Sequence, residues 1–271
     1  MEQRNPHNAI AHQKWEPANL GRVDVSLSLQ EQSALSRYSS LPWELRNHIH
    51  TFYVQGFCDN EVIVRRGTER GLNLLVRQTA GPHSYHWVKD PILQQSGPNR
   101  IGVAAARELL EAYYRNRAFK FIHDELSTLR PFLEADTFGL AMRPADYVRR
   151  LQLQIQPFKY AQLRELNAMD QEEHICRGAL ESLIILHSPH TAIEIRADLA
   201  QGFCDDEEYD ELLDDAAGFI FRTVDLVDSL KKKGLKVEVT FDGRWDGRDG
   251  ARIGTLSSLN DCVFAMKVAC Q

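Results

Sequence analysis

The side chains from which a metal site or an acid–base site would be built are plentiful here: ten histidines, five cysteines and thirty-eight acidic residues. Their spacing decides what they can do. His48 and His50 are two apart, which on a helix turns them to different sides, while His83/His86 and His187/His190 sit beside Pro or Gly turns with no further ligand at metal spacing. Ordinary surface and loop histidines account for all six. Asp242-Gly243-Arg244-Trp245-Asp246-Gly247 opens like a calcium loop, but Arg244 occupies the third ligand position and Ile253 stands where the bidentate glutamate belongs. A turn after a strand explains it better. The acidic run Asp205-Asp206-Glu207-Glu208, continued by Asp210, Glu211, Asp214 and Asp215, offers carboxylates to a cation or a basic partner. A solvated first half of a helix, where the dipole favours acid, is the simpler reading. No Walker-type loop, no G-x-G-x-x-G after a strand, no G-x-S-x-G elbow and no H-E-x-x-H occurs. Binding is therefore expected over catalysis, with no catalytic residue, metal or cofactor assigned; a site assembled from separated residues stays open, since such sites are recognised by geometry.

Composition bounds the partners. With 271 residues, 43% hydrophobic and 26% charged, the chain can bury a substantial core as one large domain or two small ones. A net charge of -6 gives no global attraction to phosphate, so nucleic acid is not an expected partner. No window approaches the roughly 20 apolar residues that cross a bilayer, so no membrane is expected. Met1 to Ala11 has no apolar run of the kind a secretory signal needs. Cys58, Cys176, Cys204, Cys262 and Cys270 form an odd set without a C-x-x-C pair, which favours a reducing compartment, cytoplasmic or nuclear.

The elements that would position any site follow from period and punctuation. Residues 1–35 read as a polar arm, ending in at most one edge strand at Val23, Val25, Leu27 and Leu29; a helical segment at 36–60 and an α/β body at 61–271 follow. A helix starts at Leu41-Pro42, with Leu45, Ile49, Phe52 and Tyr53 on one face. Glu61 to Arg66 and Leu72 to Arg77 predict a hairpin, followed by a polar loop through Gly81-Pro82, Pro91 and Gly97-Pro98. Ile101 to Arg117 predicts a helix with Val103, Ala106, Leu110 and Tyr113 or Tyr114 inward. Strand and helix then alternate: strands at Ala118–Ile122, Val148–Ile155, Leu183–Leu186, Thr191–Ile195 and Leu235–Phe241, and helices at Leu126–Leu133, Ala161–Leu180, Asp205–Lys233 and Leu256–Ala269. Gly234 stands where a left-handed cap belongs after Lys231–Lys233. The fold class is thus α/β, mixed, with a largely parallel sheet; an irregular leucine-rich-repeat-like arrangement is one form of it, although no exact repeat is visible.

Two segments carry a resemblance. Leu41-Pro42-Trp43-Glu44-Leu45-Arg46-Asn47-His48-Ile49 resembles the L-P-x-E-[IL]-R-x-x-I opening of the F-box-like proteins of filamentous fungi. In that family a β-rich insert is followed by a helix reading as arginine, two apolar residues, Glu-Ala, an aromatic pair and an asparagine before a strand, and Arg107 to Phe121 looks similar. The resemblance implies a substrate adaptor that docks on the Skp adaptor of a cullin ubiquitin ligase, with Leu41, Pro42, Leu45 and Ile49 as docking positions. The second and third helices of a full F-box are not found between Tyr53 and Gly67. Two alternatives therefore stand beside it: a scaffold or regulatory subunit with no ligase role, and a first helix whose Leu45, Ile49 and Phe52 pack inward on the chain's own core.

Overall fold

The computed structural model describes residues 37–56, 60–67, 71–81, 84–156, 169–188, 190–198, 217–221, 226–242 and 252–253. Met1–Ser39 and Ser40–Gln271 are separate compact units; the first is described only at 37–39, where the backbone is helical. The arm with its edge strand, the acidic run, the loop from residue 243 to 250 and the final helix lie outside the described residues.

In the second unit, helix α1 (Trp43–Gly56) precedes the strands β1 (Glu61–Arg66), β2 (Leu72–Gly81) and β3 (Ser84–Lys89). Three helices follow, α2 (Pro91–Gln95), α3 (Pro98–Ile101) and α4 (Val103–Asn116), before β4 (Ala118–Phe121). A 3-10 turn at His123–Thr128 leads into α5 (Leu129–Glu134), then α6 (Pro144–Tyr147), β5 (Arg150–Ile155), α7 (Met169–Ser182), β6 (Ala192–Asp198), β7 (Lys236–Asp242) and β8 (Arg252–Ile253). The strands form one sheet in the order β3-β2-β1-β4-β5-β6-β7-β8. β1, β4, β5, β6 and β7 are parallel, and antiparallel partners flank them on both sides.

The parallel run advances in a single direction, and that decides where the helices go. Crossovers of one hand, repeated in one direction, deliver every connecting segment to the same face of a sheet. Burial agrees. Phe119, Leu151 and Ile193 pair in register, as do Phe121, Leu153, Ile195 and Val239, and all seven are buried. Between these two rows, Lys120, Gln152, Glu194 and Glu238 pair in register on the opposite face, and none is buried. The sheet thus has one covered face and one open polar face, each strand alternating as the pleat demands.

Under the covered face the aromatic rings of Tyr113, Tyr114, Phe119, Phe121 and Phe132 pack at centroid distances of 4.8–6.4 Å. The β3–α2 junction adds a buried polar knot. Asp90 caps α2 by accepting from the Ile92 amide at 2.9 Å, accepts from the Tyr113 hydroxyl at 3.0 Å and lies 3.9 Å from the fully buried Arg117 guanidinium. Burial pushes the Asp90 carboxyl up, against the opposing pull of Arg117, the Ile92 amide and the Tyr113 hydroxyl.

Most expected elements are present, with three corrections. The polar loop after Arg77 is instead sheet and then helix: β2 runs on to Gly81, β3 pairs with it because Tyr85 and Trp87 alternate with polar residues as an edge strand does, and Pro91 and Pro98 open the short helices α2 and α3. Leu183–Ile185 is a 3-10 turn rather than a strand buried on both faces; Leu183 and Leu186 are buried and Ile184 is exposed, so the run serves as an apolar plug at the end of α7. The helix expected over Ile101–Arg117 is interrupted at Gly102, whose φ of 81° suits glycine, and Val103 beyond it is exposed. Gly234 does adopt the left-handed cap, with φ 91°, and the Leu235 amide donates back to the Leu230 carbonyl at 3.2 Å.

Candidate protein-interaction site

α1 begins where the backbone of Leu41-Pro42 gives way to a helix with Glu44 in its first turn, favourable to the dipole. Its inner side is polar and specific. Arg46 donates from Nε and Nη2 to the two Glu108 carboxylate oxygens of α4 at 3.0 and 2.8 Å, and from Nη1 to the Leu41 carbonyl at 2.8 Å. A fork-on-carboxylate pair of this kind fixes orientation as well as distance. His50 is buried beneath it with Nε2 3.7 Å from Glu108. Burial holds the His50 imidazole below its ordinary value, opposed by Glu108 and reinforced by Arg46. Val54 is fully buried one turn on, the Tyr53 hydroxyl donates to Gln95 at 2.5 Å, and Gln55 donates to Asn116 at 3.1 Å.

With the inner side occupied by Arg46, His50 and Val54, the apolar stripe of α1 faces outward. Leu45 is 50% exposed, Ile49 47% and Phe52 80%, at i, i+4 and i+7, and Trp43 in the first turn is 52% exposed. Ile49, Phe52, Tyr53 and Gly56 line an apolar groove together with His48. Inward packing of Leu45, Ile49 and Phe52 on the core is therefore overturned. Hydrophobic periodicity finds the stripe, but here the ion pair, a buried histidine and Val54, not the stripe, attach the helix. Tyr53 alone of the four is turned partly toward the body.

The second surface is the open face of the sheet. A depression of about 480 Å³ crosses β1, β4, β5, β6 and β7. Several polar groups of this face are held by one another: Lys120 pairs with Glu61 at 3.3 Å, Gln152 donates to Glu194 at 2.8 Å, Thr240 to Glu194 at 3.3 Å and Gln154 to Asp198 at 2.8 Å. Toward the β3 side the face gains Arg77, Tyr85 and Trp87. Tyr85 and Trp87 meet edge to face at 5.9 Å, and the Arg77 guanidinium lies 5.3 Å from the centre of the Tyr85 ring.

No protein-family model, curated protein or solved structure matches the chain.

Of the residues assigned from sequence, Leu45 and Ile49 share the outward stripe, Leu41 is half-buried at the helix start and Pro42 is exposed beside it. Arg46 and Glu108, which join the two motif-bearing segments, were missed as a pair; both were visible, but nothing in a sequence shows that residues 62 apart will meet. The histidines stay scattered. His48, His86, His187 and His190 are exposed, with His187 Nδ1 2.7 Å from Asp146, and His123 is a core residue whose Nδ1 accepts from the Gln156 amide at 3.2 Å. Among the described residues, no group of three His, Cys, Asp or Glu side chains is placed to hold a metal ion, and no helix is long and apolar enough to cross a membrane. The described cysteine, Cys176, is buried in the core.

Proposed function

We propose that this chain is a non-catalytic protein-interaction protein, an F-box-like substrate adaptor that docks through α1 on the Skp adaptor of a cullin-type ubiquitin ligase. The observation that carries it is the outward stripe of Leu45, Ile49 and Phe52 on a helix whose opposite side is bonded to α4. A helix held rigidly by its polar side, with leucine, isoleucine and phenylalanine projecting at helical spacing, suits a partner's apolar groove. Leu41 and Pro42 set the angle at which it is presented. The open sheet face is the complementary surface, where a substrate would be recruited.

Co-purification tests this. Tagged protein is expected to retain the Skp adaptor, and Leu45→Asp combined with Ile49→Asp is expected to release it while circular dichroism stays unchanged. Adaptor that never appears with the wild type, or that survives the double substitution, removes the ligase role. One feature favours a second reading, a scaffold or regulatory subunit: only Phe57 to Asn60 separate α1 from β1, too few for the remaining F-box helices. Under that reading other proteins persist on the tagged chain and the Skp adaptor is absent.

A further inference from the structure

The open face is unevenly charged. Over β3, β2, β1, β4 and β5 it carries Arg65, Arg77, Lys89, Lys120 and Arg150 against the carboxylate of Glu61, in a chain of net charge -6. Over β6 and β7 the balance reverses, with Glu194, Asp198 and Glu238 against Arg196 and Lys236. In the basic half a depression of about 540 Å³ brings Ile63 and Trp87 together with Arg77, Tyr85 and Lys120.

We propose that this basic half binds an acidic peptide segment of a partner protein, with its carboxylates over Arg77, Lys120 and Arg150 and an apolar side chain against Ile63 and Trp87. The inference deepens the substrate-recruiting role assigned to this face and rests on it. Complementary charge supplies specificity and association rate, and the cations are already positioned: Lys120 by Glu61 at 3.3 Å and Arg150 by the Asn116 carbonyl at 2.6 Å, so little side-chain freedom is lost on binding. Single-stranded nucleic acid fits less well. The Arg77 guanidinium already lies over the Tyr85 ring on which a base would stack, and a polyanion charged at every nucleotide would run on toward Glu194 and Glu238. A short acidic peptide can stop at β5.

Fluorescence anisotropy with the full chain tests it, using a dye-labelled peptide of glutamates around a central leucine, its lysine counterpart and a labelled oligouridylate. The glutamate peptide is expected to bind at least about tenfold more tightly than the lysine peptide and to weaken as salt screens the contacts. Arg77→Glu with Lys120→Glu is expected to weaken it about tenfold or more; if that variant does not fold, Arg150→Glu, at an exposed position, is read in its place. Equal binding of the lysine peptide, unchanged affinity in the folded variants, or tighter binding of oligouridylate overturns the proposal. The Leu45→Asp, Ile49→Asp protein separates the two readings, because it should still bind the glutamate peptide. Adaptor capture without peptide binding sinks only this inference; peptide binding without adaptor capture sinks only the ligase role.

Discussion

At the level of single residues, the polar groups set inside the body are more exacting than its apolar ones. Asp90 serves three partners at once, the Ile92 amide, the Tyr113 hydroxyl and the Arg117 guanidinium, and both charged groups are removed from water. Removing one side of such a pair leaves a buried charge without its counterpart. Asp90→Ala is therefore expected to cost about 3–5 kcal/mol in urea unfolding, and Asp90→Ala with Arg117→Met to recover a good part of it. A double variant as unstable as the single one would show that the damage lies in the lost α2 cap instead. Nothing in the sequence marks Asp90 or Arg117 as special. They lie 27 positions apart in a polar loop and at a helix end, and what makes them costly is a desolvation that only the folded chain imposes.

At the scale of the element, α1 shows where sequence reading succeeds and where it stops. Its position and its apolar stripe follow from Pro42, Glu44 and the spacing of Leu45, Ile49 and Phe52. Which side faces the body does not, because periodicity reports that a stripe exists and not what covers it. β3 was hidden for a related reason: an edge strand needs only half an apolar pattern, and Tyr85 and Trp87 are too few to stand out among polar neighbours. The attachment of α1 is also expected to respond to proton concentration. His50 is held neutral by burial, with Arg46 and Glu108 facing it, so its folded value lies below the unfolded 6.5. The unfolded chain then binds the extra proton first, and the stability that neutral His50 contributes is full above 6.5 and lost as pH falls through the lower folded value. Urea midpoints are expected to drop between about pH 7.5 and about pH 5.5, with a smaller drop in His50→Gln. Equal drops in both proteins would place the sensitivity elsewhere.

At the scale of the whole molecule, the two faces of the sheet make opposite demands on adjacent residues. Leu153 and Gln152 are neighbours in β5, one in the aromatic and aliphatic core and the other bonded to Glu194 on the open side. Leu153→Ala is expected to cost about 2–5 kcal/mol, and Gln152→Ala about 1 kcal/mol or less, both from denaturant midpoints. Comparable losses would mean that the open face is covered. This alternation was legible in Leu151, Gln152, Leu153, Gln154 and Ile155, and the parallel arrangement followed from strands separated by helices. The single direction of the strand order was not legible, since it depends on which edge each strand chooses. That choice has a bearing on assembly. Once the β1 to β3 hairpins are made, β4 is laid against the free edge of β1 and each described strand from β5 to β8 against the one before it, so from β4 onward the order of synthesis is also the order of placement. Among the described strands none has to be inserted between two that are already paired, and the sheet can widen from one side as the chain lengthens, with its open face growing by one row of side chains at each step.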